Sequence, residues 1–155
     1  MLAPALLTAM ALASSAQSNS IDGLWLHPER AVIIRLQGCG SAMCGTVTWA
    51  TARAQRDAKS GVEHLVGARL LTDFRENSNG IWKGKIFVPD YALHVTGKIQ
   101  HLDANRLKVS GCTLGGLICR SQVWTRSDSP VATADRPLSF IPAQAERAIL
   151  AANSH

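Results

Sequence analysis

The sequence predicts an all-β fold: eight antiparallel strands of modest length, closed into an up-and-down barrel or packed as a sandwich. Three observations point there. Between Gly23 and Arg126 apolar and polar residues alternate with a period of two, the signature of strands with one buried and one wet face. Turn-forming clusters interrupt that alternation at short intervals. The chain has 155 residues with 46% hydrophobic and 17% charged side chains, a length and composition that fit one domain around one core and exclude a disordered chain.

The strands follow in order as 23–27, 31–38, 44–51, 68–75, 81–88, 92–102, 105–112 and 118–126. Val32, Ile34 and Leu36 alternate with Ile33, Arg35 and Gln37, and Val47 and Trp49 alternate with Thr46 and Thr48. The cleanest stretch sets Leu93, Val95, Gly97 and Ile99 against His94, Thr96, Lys98 and Gln100. Leu107 and Val109 alternate with Arg106 and Lys108. Breaks fall at His27-Pro28-Glu29, Gly38 to Gly45, Asn77 to Gly80, Pro89-Asp90, Asp103-Ala104-Asn105 and Gly115-Gly116. The longer interruption from Ala52 to Gly67 is charged and carries Lys59-Ser60-Gly61, so it reads as a loop with room for one helical turn. A barrel pairs every strand edge, whereas a sandwich must protect its edges by other means.

The two ends differ from the middle. Residues 1–16 carry no charge; Leu2 to Ala13 is apolar and Ser14-Ser15-Ala16 is small, which reads as a secretory signal peptide lacking an n-region Lys or Arg. The alternative is a buried N-terminal helix. The apolar run is too short to span a bilayer comfortably, so no integral membrane segment is expected in the mature chain, which would be periplasmic or secreted. Residues 127–155 turn to Ser, Asp, Pro and Ala. Within them Pro142 to Ala152 has Ile141, Ala145, Ala148 and Ile149 on one side, either a short helix or a frayed tail.

Four cysteines, Cys39, Cys44, Cys112 and Cys119, allow three pairings. The local one, Cys39–Cys44 and Cys112–Cys119, is favoured because each pair flanks a Gly-containing turn. A two-residue turn at Gly115-Gly116 would set Cys112 directly opposite Cys119 on neighbouring strands, within bridging range. A four-Cys zinc site is disfavoured, since these spacings exceed those of paired zinc ligands.

The net charge of +5 is spread over residues such as Arg30, Arg35, Lys83, Lys98, Lys108 and Arg120. Nucleic-acid binding would require such charges clustered with stacking aromatics, so no nucleic-acid partner is expected. There is no G-x-S-x-G elbow and no phosphate loop. His94 and His101 have opposite strand parity, and no His pair has helical metal spacing, so neither a metal nor a cofactor is expected. Asp57, Asp73, Asp90 and Asp103 fall in or near turns, where local hydrogen bonding explains them. Nothing positive supports an enzyme; an envelope hydrolase would require paired carboxylates or a His/Ser pair brought together in a cleft.

Gly23-Leu24-Trp25 opens the first strand and Trp124-Thr125-Arg126 closes the last. This resembles the lipocalin and wider calycin pattern, which implies that the first Trp plugs one barrel end while a late Arg packs over its ring; Gly23, Trp25 and Arg126 are then the barrel-closing residues. From Asp22 to Arg126 the chain is similar to the bacterial exported proteins grouped as domain of unknown function 2147. The residues that carry this are Gly23-Leu24-Trp25, Cys39-Gly40 to Cys44-Gly45, Trp49, Asp57, Gly61, Leu65, Gly67, Leu70-Leu71 and Phe74. They continue with Trp82-Lys83-Gly84, Pro89, Gly97-Lys98, Leu107-Lys108-Val109, Gly111-Cys112 and Cys119 to Arg126. The resemblance implies a small lipocalin-like barrel, bacterial export and no established enzymatic activity. The chain departs from that pattern near Pro89. Phe87-Val88 stand where the family tends to have Tyr and then Asp or Asn, which implies a more apolar pocket.

An eight-stranded barrel is wide enough to be filled by its own side chains or to hold one small ligand. The inward set predicted to line it is Ile34, Leu36, Val47, Trp49, Ile86, Val95, Val109 and Trp124. If hollow, it would take a small hydrophobic ligand. If filled, the protein would act through contacts of its outer surface or rim with another protein. The sequence does not specify an oligomeric state.

Overall fold

The computed structural model describes residues 20–130. Eight strands form a closed antiparallel barrel in simple up-and-down order. They are β1 (Gly23–Leu26), β2 (Val32–Cys39), β3 (Ala42–Ala50), β4 (Arg69–Glu76), β5 (Ile81–Val88), β6 (Leu93–Asp103), β7 (Arg106–Thr113) and β8 (Ile118–Arg126). All eight predicted strands are present: β5 and β8 have the predicted bounds, and the others are displaced by a residue or two at their ends. The sandwich alternative is set aside, because β1 pairs with β8 and closes the cylinder. The proposed signal at 1–16 and the helix within 127–155 lie outside the described residues.

The 52–67 interruption contains α1 (Ala52–Asp57), continued by a 3-10 turn at Ala58–Ser60. Thr51 caps α1, its hydroxyl accepting from the Ala54 N–H at 3.2 Å, which satisfies one of the donors a helix start leaves unpaired. Both predicted disulfides form: Cys39–Cys44, with Cα atoms 5.8 Å apart, and Cys112–Cys119, at 4.1 Å. Cys112 lies directly opposite Cys119 in the β7–β8 ladder, as expected from the turn. The turn is longer than two residues, however, because Leu114–Gly116 winds into a 3-10 turn before Leu117.

Alternation puts Trp25, Ile34, Leu36, Val47, Leu71, Ile99, Leu107, Val109 and Trp124 into one buried cluster inside the barrel. Two irregularities bend that rule. Between Ile33 and Ile34 the β2–β3 register shifts, so Ile34 faces Val47 while Ile33 faces Trp49. Trp49 therefore lies on the face opposite to Ile34, which corrects its predicted place in the inward set. In β4 the register shifts between Thr72 and Arg75, and Asp73 takes a left-handed φ of 55°. This bulge sends Phe74 into the core, where it is 1% exposed.

Phe74 then fills the waist. A Cβ placed on Gly84 would lie 2.6 Å from Phe74 Cδ2, and one on Gly97 would lie 2.6 Å from Phe74 Cζ. The aromatic ring occupies the space that two facing side chains would otherwise take, since Gly84 and Gly97 are cross-strand partners. These glycines are packing devices within otherwise regular strands.

Candidate functional site: the two ends of the barrel

The end at which β1 begins is sealed. Trp25 is fully buried and its indole Nε1–H donates to the Ile21 carbonyl at 2.9 Å. The Arg126 guanidinium lies 4.3 Å from the centre of the Trp25 ring, a cation–π arrangement. The same group donates to the carbonyls of Asp22 at 2.9 Å and Ala104 at 2.7 Å, so it ties the N-terminal approach to the β6–β7 turn. Gly23 has φ of 129°, and a Cβ there would sit 2.5 Å from Arg126 Nη1. Only glycine leaves space for the arginine while holding that backbone angle. Gly23, Trp25 and Arg126 thus form one structural lock, and none of them offers a free group to a ligand.

The opposite end is assembled from the β1–β2 loop, the 51–68 segment, the 3-10 turn Pro89–Tyr91 and the β7–β8 turn. On the side of β2 to β6 this mouth is roofed. Ala58 and Leu65 join the interior cluster, with Ala54, Val62 and Phe87 packed against it. The Ser60 hydroxyl donates to the Asp90 carbonyl at 3.2 Å, and the Thr51 N–H donates to the Ala31 carbonyl at 2.9 Å, fixing the roof to both neighbouring turns.

Towards β8 no described residue continues this roof. The four-residue β1 pairs with β8 only through Trp25–Arg126 and Leu26–Thr125, while β7 pairs with β8 along its length. Every residue from Ile118 to Val123 is consequently exposed, although alternate members of this run have inward parity. Leu107, Val109 and Gly111 of the inner face stand opposite Trp124, Gln122 and Arg120 respectively. The exposed inner face of β8 is therefore polar, at Gln122 and Arg120; Trp124 below them is buried at 5% exposure, and Val95 is half-buried.

His27 joins this wall. Its ring centre is 5.9 Å from that of Trp124, and its Nδ1 accepts from the Glu29 N–H at 3.2 Å. The Trp124 Nε1–H donates to Gln122 Oε1 at 3.2 Å. Burial holds the His27 pKa below its ordinary value; the Glu29 charge and a hydrogen bond with the Gln122 side chain pull weakly the other way. His27 is accordingly neutral at pH 7, a hydrogen-bonding group of the wall rather than a charge.

Of the predicted inward set, Ile34, Leu36, Val47, Ile86, Val95, Val109 and Trp124 share the inner face, and Trp49 does not. Ile34, Leu36, Val47, Val109 and Trp124 are buried within the filled cluster, whereas Val95 is half-buried and lies outside it. Gln122, Arg120 and His27 were absent from that set. The signal for the first two was available: stepping back by twos from an inward Trp124 gives them directly. Two further recesses lie outside the cylinder. One of about 700 Å³ follows the loop from Gln55 to Leu65, and one of about 300 Å³ crosses the outer face between Ile81, Lys98 and Ser121. Among the described residues no group of three or more His, Cys, Asp or Glu is placed to hold a metal ion, and no helix is long and apolar enough to cross a membrane.

No curated protein matches the chain. Among solved structures it is similar to protein HP1028 from the human pathogen Helicobacter pylori, described as belonging to the lipocalin family. The TM-score is 0.55 at 13% sequence identity, covering 70% of this chain and 84% of that one. At such identity the likeness shows the fold alone: a lipocalin-like barrel. Residues 23–126, the span of the barrel from the start of β1 to the end of β8, match the family model described as "Uncharacterized protein conserved in bacteria (DUF2147)", and the chain belongs to that family.

Proposed function

We propose that the chain is an exported, non-enzymatic binding protein that takes a small apolar ligand at the β8 side of the barrel mouth. The observation that carries this reading is the short β1, which leaves inward-parity residues of β8 open to solvent beside Val95 and Trp124. A filled waist and a sealed Trp25 end confine the site to the mouth rather than to a deep calyx. Two disulfides support the exported part of the reading, since such bridges persist in oxidising compartments. Titration of the intact protein with the neutral dye N-phenyl-1-naphthylamine tests the binding. Saturable one-to-one enhancement of dye fluorescence is expected; a linear, non-saturating response contradicts the proposal.

A second reading has its own observation. Leu114, Leu117, Ile118 and Val123 are exposed by 70%, 84%, 54% and 43%, beside a strand edge that β1 leaves largely unpaired. Such an edge with an apolar rim favours contact with another protein or with a second copy. Sedimentation of the wild type and a Leu117→Asp variant separates the two readings. A stable assembly that the variant dissolves favours the protein-contact reading.

A further inference from the structure

We infer that the mouth selects a ligand with an anionic head, a carboxylate-bearing amphiphile, and that Arg120 is the group that recognises it. This rests on the mouth being a ligand site, as proposed above. The β5–β6 and β7–β8 ladders run without a register shift, so face assignment on these strands is direct. Lys83, Lys85, Lys98, Arg106 and Lys108 all take the outer face. Among the Lys and Arg residues of strands β5 to β8, only Arg120 and Arg126 have inward parity.

Those two arginines differ in occupation. Arg126 is committed to the Trp25 ring and to two backbone carbonyls. The Arg120 side chain makes no hydrogen bond, ion pair or ring contact with any described residue. Its partner across the ladder is Gly111, which contributes no side chain; a Cβ there would lie 3.0 Å from Val95 Cγ2. The guanidinium thus stands at an open position with an apolar neighbour. Asp103, the only acidic residue in strands β5, β6, β7 and β8 themselves, lies at the opposite end of the barrel and is engaged by Arg106 at 2.7 Å; Asp90 lies in the turn between β5 and β6.

Two residues along the same face, Gln122 already accepts from Trp124 through its Oε1, so its amide N–H groups are the part left to donate. A planar guanidinium with an amide donor beside it suits a carboxylate, which accepts two parallel N–H bonds from arginine. An apolar chain leaving that head would meet Val95 on the inner wall and Leu114, Leu117 and Ile118 on the lip.

The test uses the intact, disulfide-bonded protein and three twelve-carbon probes that share a tail: dodecanoate, dodecanol and dodecyltrimethylammonium, each displacing N-phenyl-1-naphthylamine. The wild type is expected to bind dodecanoate about tenfold more tightly than dodecanol, and the cation most weakly, as one charge-assisted contact allows. Arg120→Gln should abolish that preference by weakening dodecanoate about tenfold, while Arg120→Lys retains part of it. Equal binding of dodecanoate and dodecanol by the wild type overturns the assignment of an anionic head but leaves the mouth as a ligand site. A preference that survives in Arg120→Gln overturns the role of Arg120. If neither dodecanoate nor dodecanol displaces the dye, or the dye itself does not bind, the mouth is not a ligand site and both readings fall together.

Discussion

At the scale of single residues, the barrel is decided by a few close approaches. Phe74 can cross the waist only because Gly84 and Gly97 lack side chains. Gly97→Ala is therefore expected to cost about 1–3 kcal/mol through overpacking. Phe74→Leu in the same background should return part of that loss. Urea unfolding of the single and double variants checks this; additive losses would contradict a shared packing site. His27 supplies a second prediction. Its pKa is lowered, so the unfolded chain binds the proton more tightly than the folded one. The resulting stability is fully present above the unfolded value of about 6.5 and declines as pH falls toward the lower folded value. The urea midpoint should drop between pH 7 and pH 5, and His27→Gln should remove part of the drop. Identical pH profiles for the two proteins would show that His27 does not contribute.

At the scale of elements, the clips and the bulges matter most. Cys112–Cys119 closes the turn whose Leu114 and Leu117 form the exposed lip, and Cys39–Cys44 clips the β2–β3 hairpin at the other end. Replacing both members of either pair by Ser should cost about 2 kcal/mol, because each bridge closes a short loop. Urea unfolding measures the loss, and unchanged midpoints would contradict a stabilising role. Eight strands were legible because their apolar positions repeat every two residues and turn formers separate them. The register shift beside Ile33 was not, since nothing in Thr46-Val47-Thr48-Trp49 marks the extra residue that turns Trp49 to the other face. The β4 bulge had only one local sign, an Asp at position 73 between Thr72 and the apolar Phe74. That residue type tolerates the left-handed angle it adopts. The mouth was half legible: alternation from Trp124 reaches Gln122 and Arg120. Their exposure depends on how short β1 is, which a sequence pattern ending in a loop does not fix.

At the scale of the whole molecule, the two barrel ends are chemically unlike. One is closed by a tryptophan, an arginine and a glycine packed together; the other, among the described residues, is roofed on one side and open along β8. The filled waist separates them, so a ligand at the mouth should leave the sealed end unchanged. Backbone and indole N–H resonances of the intact protein during titration with dodecanoate test this most directly. Saturable shifts of Gly111, Arg120, Gln122 and the Trp124 indole are expected, with the Trp25 indole unmoved. Shifts centred on Gly84, Gly97 and Trp25, or no saturable shifts at all, would contradict it.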